Sequence, residues 1–337
     1  MSGQQTLMAR ETAEAPEVVA RMLASLTPQL GELKRLITRK PSHIVTIARG
    51  SSDHAAGYCK YLVEILLGLP CASLGPSVVS IYDAKLALRD CVVIAISQSG
   101  GSPDALAFAA AARRAGVPVV SVTNGRDTPL ARLASIALDL GAGAEQSVAA
   151  TKTFIASAVL AARVVAEWAG NATLIGAIEQ LPEVLAKANA LCWDALEATL
   201  VPARSAYVLG RGPSLPIASE AALKLKETSA LHAEAFSSAE VLHGPMELVK
   251  PGFPVLMFLP DDAAAATNTA TAERLRAAGG DVRVVGAGGS EFARTGHALL
   301  DPISMIQTFY GSVERIARAR GHDPDRPHLL SKVTRTT

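Results

Sequence analysis

A chain of 337 residues, 49% of them apolar, has the side chains to fill one large core or two ordinary ones, which excludes a disordered or fibrous class. Its 32 basic and 31 acidic residues cancel to a net +1 and form no long single-sign block, so the footprint of a nucleic-acid binder is missing and any anionic ligand has to be caught locally. Cys59, Cys71, Cys91 and Cys192 show neither a C-x-x-C pair nor metal-ligand spacing, so reduced thiols, no disulfide and no metal site are expected.

In chain order, the first twenty residues lack the apolar stretch of a secretory signal, which points to a cytoplasmic protein. Residues 44–48, IVTIA, form a short β-branched run that ends at Arg49-Gly50, and the following SSDHAAGYCKYLVEILLGL has helical periodicity. The same order recurs in CVVIAI at 91–96, a serine-rich turn, the helical PDALAFAAAARRAG and a third strand, VPVVSVTN, at 117–124. Residues 145–200 read as helices, with Gly170-Asn171 as a break and Pro182 as a helix start. The most hydrophobic of these, TFIASAVLAARVVAEWAG, is interrupted by Arg163 and Glu167 well short of a membrane span. Beyond residue 200 the pattern returns: SAYVLGRG leads into PSLPIASEAALKLKETSAL, FPVLMFLP into TNTATAERLRAAGG, and DVRVVGA follows.

Strands that are apolar throughout and alternate with helices predict an α/β fold with parallel sheets covered on both faces. Arg49-Gly50 and Arg211-Gly212 lie 162 positions apart, and Val92 and Val255 lie 163 apart, so the unit is duplicated. The division falls near residue 200: 1–200 holds an N-terminal helical arm and the first unit, 201–337 the second.

In an open parallel sheet, ligands bind where loops leave the carboxyl ends of the strands. The turn AISQSGGSPD lies at such an edge, and Ser102-Pro103 has the form of an N-cap followed by proline at the first helical position. The helix then starts with free N–H groups beside the hydroxyls of Ser97, Ser99 and Ser102, an uncharged set of donors for phosphate, while Gly100 and Gly101 permit close approach. An ordinary capped β–α turn has the same composition. The RGSSDHA turn adds Ser51 and Ser52 from a neighbouring strand end.

Glu220, Lys224 and Glu227 fall at i, i+4 and i+7 of a helix and share one stripe, which suits either a solvated ion-paired face or a charged site. His243, before a Gly-Pro turn, brings a group that titrates near neutrality. A carboxylate to move a proton between adjacent carbons, a histidine to open a sugar ring and a lysine to polarise a carbonyl make up an aldose–ketose set that needs no metal.

The segments SQSGGSPD, SVAATKTF, EAALKLKETSALHAEAF, AEVLHGP and DPDRPHLLSKVT follow the order of the sugar isomerase (SIS) superfamily. From MARETAEAPEVV to the tail, the chain resembles the isomerase half of glucosamine-6-phosphate synthase. The resemblance implies two tandem SIS units, each a doubly wound, flavodoxin-like parallel sheet flanked by helices. It implies that Ser97, Gln98, Ser99 and Ser102 bind phosphate and that Ser51, Ser52 and Val148 lie beside the sugar. Glu227 would be the proton-shuttling base, His243 the ring-opening residue donated across a homodimer interface, and Lys332 the lysine of a closing C-terminal tail. Glu220 and Lys224 would support them, without cofactor or metal.

Two departures stand out. Ala150 occupies a position where the synthase pattern has a serine, which removes one sugar-side hydrogen bond. The synthase also carries an N-terminal glutaminase domain with a catalytic cysteine, whereas here Met1 leads almost directly into the sugar unit and the first cysteine is Cys59. The expectation is therefore an SIS-type glucosamine-6-phosphate deaminase that converts glucosamine 6-phosphate and water into fructose 6-phosphate and ammonium. The alternatives are a deaminase or isomerase of another phosphosugar, such as galactosamine 6-phosphate, and a noncatalytic sugar-phosphate sensor.

Overall fold

The computed structural model describes residues 5–332. Helices α1 (Leu7–Ser25) and α2 (Thr27–Ile37) precede β1 (His43–Ile47), α3 (Ser51–Leu67), β2 (Cys71–Ser73), α4 (Ser77–Ser80), β3 (Cys91–Ile96), α5 (Pro103–Arg114), β4 (Val119–Thr123), α6 (Pro129–Leu133) and β5 (Ile136–Asp139). Next come α7 (Lys152–Ala169), α8 (Ala172–Glu179), α9 (Leu181–Asn189) and α10 (Asp194–Leu200). The last part holds β6 (Ser205–Gly210), α11 (Ser214–Ser229), β7 (His232–Ser237), β8 (Pro254–Leu259), α12 (Ala265–Ala277), β9 (Asp281–Gly286) and α13 (Asp301–Ala319).

The described residues form two compact units, one of Glu17–Glu145 and Lys152–Glu179, the other of residues 5–16, Gln146–Thr151 and Gln180–Lys332. The chain crosses between them within α1, at both ends of the 146–151 loop and after α8. The second sheet itself opens at Ser205, shortly after residue 200.

In the first unit the strand order is β2-β1-β3-β4-β5, all parallel, with Val45 beside Val93 and Val93 beside Val119. This is the doubly wound 2-1-3-4-5 order, whose ligand crevice lies between the ends of β1 and β3. The second sheet, β7-β6-β8-β9, is also parallel and repeats that winding without a last edge strand. Ser205 opens β6 162 positions after His43 opens β1, and Pro254 opens β8 163 after Cys91 opens β3. The α/β architecture of two helix-flanked parallel sheets is thus the one expected. Each sheet has its own apolar layer: Val45, Val93, Phe108 and Val119 in the first, and Tyr207, Val255, Met257 and Leu275 in the second.

Three strands had no signal in the periodicity. β2 and β5 are edge strands of three and four residues with partly exposed side chains. β7 follows α11 without a glycine, because Ala230 itself takes the left-handed conformation (φ 47°) that ends the helix, and the Leu231 amide returns to the Leu225 carbonyl. The helical reading of 145–200 also needs correction at its start. Residues 146–151 are a loop, and α7 begins at Lys152, where the buried Glu145 carboxylate accepts the Thr153 amide at 3.1 Å and its hydroxyl at 2.6 Å. Gly170-Asn171 does break the helices, with Asn171 Oδ1 capping α8 through the Leu174 amide, and Pro182 stands in the first turn of α9. Among the described residues no helix is long and apolar enough to cross a membrane.

Candidate active site

The serine-rich turn leaves the end of β3 at the expected edge of the first sheet, and backbone bonds hold it firmly. The Ser97 amide reaches the Val122 carbonyl, the Gly100 amide the Ser97 carbonyl, and the Leu130 amide the Gly100 carbonyl. Gly100 lies at φ 59°, and a Cβ there would stand 2.4 Å from the Thr128 hydroxyl, so this glycine is required by packing as well as by backbone conformation. Ser99 is exposed, and its oxygen accepts the Gly101 amide at 3.3 Å. Ser102 takes the extended N-cap conformation expected of it, but its hydroxyl makes no capping bond. The first-turn amides of α5 therefore have no cap from Ser102.

Asp104, in the first turn of α5, is 1% exposed and is held by the Arg49 guanidinium, with Nε at 2.7 Å, and by the Ser80 hydroxyl. Burial alone would raise its pKa, but the Ser80 and Arg49 bonds outweigh that and hold the carboxyl below its ordinary value. The pair ties the Arg49-Gly50 turn after β1 to the start of α5, across the crevice between β1 and β3. Ser51 and Ser52 open α3 on the same turn and are half-buried. Neither Arg49 nor Asp104 was singled out from the sequence as a site residue, although the Arg-Gly turn is visible in it.

On α11 the charged stripe faces inward, not into solvent. Glu220 and Lys224 side chains are 0% and 1% exposed, whereas Glu227 is 20% exposed. The Lys224 ammonium lies 3.3 Å from Glu220 and donates to Glu227, and Tyr310 of α13 donates to Glu220 at 3.3 Å. Burial pulls the Lys224 pKa down, but the two carboxylates overcome this and leave it above the ordinary lysine value. Arg320 fixes the end of the helix, donating to the Ser229 carbonyl at 2.8 Å and to those of Val201 and Ala203, both at 2.7 Å.

Glu227 also borders a cavity of about 510 Å³ lined by Leu223, Ala230, Arg326, Pro327 and Leu330, between α11 and the C-terminal tail. Farther along that tail, Lys332 Nζ donates to the Ser147 carbonyl at 2.6 Å, which brings it to the residue before Val148. Val148 and Ala150 are partly buried in this loop. His243 ends a 3₁₀ turn, Glu240–His243, and is exposed; the described hydrogen bonds and ion pairs do not tie it to Glu227. The structure thus gathers Ser51, Ser52, Ser97, Gln98, Ser99 and Ser102 in one compact unit. Glu220, Lys224, Glu227, His243, Lys332 and Val148 belong to the other.

The SIS domain profile matches residues 36–166 and 199–312, and this chain belongs to the SIS domain family. It is 32% identical to the glutamine–fructose-6-phosphate aminotransferase (isomerizing) of Aeropyrum pernix over 98% of its own length and 57% of that protein's, so it spans a little over half of that relative. A solved structure from Silicibacter pomeroyi DSS-3, provisionally named a phosphosugar isomerase, superposes with a TM-score of 0.90 at 46% identity, covering 95% of this chain and 100% of the other. The C-terminal domain of glucosamine-fructose-6-phosphate aminotransferase from Francisella tularensis superposes with a TM-score of 0.84 at 27% identity, covering 96% and 99%.

Proposed function

We propose that this protein is an isomerising deaminase of an amino-sugar phosphate, converting glucosamine 6-phosphate and water into fructose 6-phosphate and ammonium. The observation that carries the proposal is the buried Glu220–Lys224–Glu227 cluster, whose outermost carboxylate borders a cavity. Burying two charges and most of a third costs several kcal/mol per ion unless they pair closely, and apolar side chains of similar size would serve packing as well. A function for the outermost carboxylate explains why the charges are there.

The phosphate is assigned to the turn of Ser97, Gln98, Ser99 and Ser102, where hydroxyls and the first-turn amides of α5 are uncharged donors. Ser51, Ser52 and Val148 are assigned to the sugar. His243, donated by the second subunit of a homodimer, assists ring opening and exposes the C1 aldehyde. Glu227 then removes the C2 proton and returns it to C1 while a proton passes from the C2 nitrogen to O1, so that the C1 aldehyde becomes an alcohol and the C2 amine a ketimine. Water adds to C2, the C–N bond breaks, and ammonia leaves to take a proton from solvent. Lys332 polarises the carbonyl end of the chain, and Lys224 with Glu220 fixes the orientation of Glu227.

Hydrolysis is favoured over amination by mass action. Water is in vast excess over free ammonia, which draws the ketimine towards the ketose. Purified protein should release ammonium from glucosamine 6-phosphate with equimolar fructose 6-phosphate. Faster turnover of galactosamine 6-phosphate would reassign the sugar, and tight binding without turnover of either would make the protein a sensor.

A further inference from the structure

The N-terminal helix and the C-terminal tail are joined by a set of bonds that neither packing nor the proposed chemistry by itself calls for. An α-helix leaves its first amides without intrahelical partners. In α1 the amides of Leu7 and Met8 are both taken by the Asp325 carboxylate, at 2.6 and 2.8 Å, and that of Ala9 by the Thr6 hydroxyl at 3.1 Å. Thr6 in turn donates to Glu314 of α13 at 3.0 Å. Asp325 thus caps the helix from more than 300 residues away, and its charge suits the positive end of the helix dipole.

One turn further along α1, Glu11 is 1% exposed, and its carboxylate accepts the amides of Gln146 and, at 3.1 Å, Ser147. Ser147 is the residue whose carbonyl receives Lys332. The tail is therefore held twice by the same helix: directly at Asp325, and through the 146–147 segment at Lys332, seven positions on. All of these residues lie in one compact unit.

We propose that Glu11 and Asp325 are positioning residues that fix Lys332 through α1. This rests on the catalytic assignment of Lys332 above, and it adds that the first helix is part of the site's support. A lysine on a free tail samples many positions, whereas one whose tail is pinned at two points loses little freedom when it engages substrate.

Two measurements on the full chain test this. Hydrogen exchange of the tail amides over residues 323–332, without substrate, should be about tenfold faster in Asp325→Ala, the size expected for a lost cap. Protection of α13 should not change. Wild-type exchange in the tail would overturn the clasp. In turnover, Glu11→Gln should lower kcat about tenfold with KM little changed, because the amide nitrogen of glutamine opposes a backbone N–H. The same substitution in a Lys332→Ala background should cost nothing further. A loss that multiplies with that of Lys332→Ala would show that Glu11 acts elsewhere. Should Glu11→Gln not fold, Asp325→Ala in the same cycle decides. Should the wild type turn over no amino-sugar phosphate, the proposed function fails, and tail exchange still decides the clasp.

Discussion

The helices α3 and α11 follow the first strand of their sheets, and the two Arg-Gly turns that introduce them are 162 positions apart. Carried along the helices, that offset sets Tyr58, Leu62 and Ile65 against Glu220, Lys224 and Glu227. Tyr58 and Leu62 are 0% exposed, as is Glu220, and Lys224 is almost so. One fold therefore accepts an apolar face in one copy and a charged one in the other, which means that the charges are not there for the fold. The turns after the second strands differ in the opposite sense. After β3 stands Ser97-Gln98-Ser99-Gly100-Gly101-Ser102, and after β8 stands Pro260-Asp261-Asp262. Burial raises the Asp262 pKa, its bond from the Ala264 amide opposes this, and neighbouring Asp261 adds to the rise. An anion finds neutral donors at the first turn and carboxyls at the second. Duplication supplied two similar frames, and the proposed function draws its anion site and its charge relay from different ones.

The comparison breaks most sharply at Glu227. If α11 carries the relay, Glu227→Gln should lower turnover about 10³-fold, within the range of general acid–base catalysis, while inorganic phosphate still inhibits substrate binding in the ordinary way. Next in size is Lys224→Met, which leaves Glu220 and Glu227 without their cation and should destabilise the protein by about 3 kcal/mol or more in urea denaturation. Giving α11 the apolar character of α3 with Glu220→Leu and Lys224→Leu together should recover most of that stability and none of the activity.

At the turns, Ser99→Asp should weaken inhibition by inorganic phosphate by roughly thirtyfold, about 2 kcal/mol, through charge repulsion and a lost donor. Asp262→Ser in the second turn should leave that inhibition within about twofold. The smallest effect is on pH dependence. The raised Lys224 pKa gives stability that is complete below the ordinary lysine value and lost as pH rises through its folded value, whereas the lowered Asp104 pKa gives stability present above the ordinary carboxylate value and lost as pH falls through its folded one. Urea midpoints should therefore drop at the alkaline end in the wild type but less so in Lys224→Met, and at the acid end less so in Asp104→Asn.

The sheets were legible because β1, β3, β4, β6 and β8 are apolar runs buried almost throughout, and the repeated offset matched the two halves; β9 was read from its valines, although Asp281 and Arg283 are partly exposed. The edge strands were not, since an edge needs neither length nor unbroken hydrophobicity. Of the candidate site, residue types and spacing marked the serine turn and the α11 stripe, but spacing alone left the stripe between a solvated face and a buried cluster. Only burial, and Tyr310 from α13, decide between them. Glu11, Arg49, Asp104, Asp325 and Arg320 act through partners far along the chain, and no local pattern reports such contacts.

The central claim is that Glu227 carries a hydrogen from C2 to C1. Glucosamine 6-phosphate labelled with deuterium at C2 tests it most directly, with the product examined by mass spectrometry alongside ammonium release. The wild type should yield fructose 6-phosphate with part of the deuterium at C1, and Glu227→Gln should form this labelled product about 10³ times more slowly. Product with only solvent hydrogen at C1, or labelled product at an undiminished rate from Glu227→Gln, would contradict it.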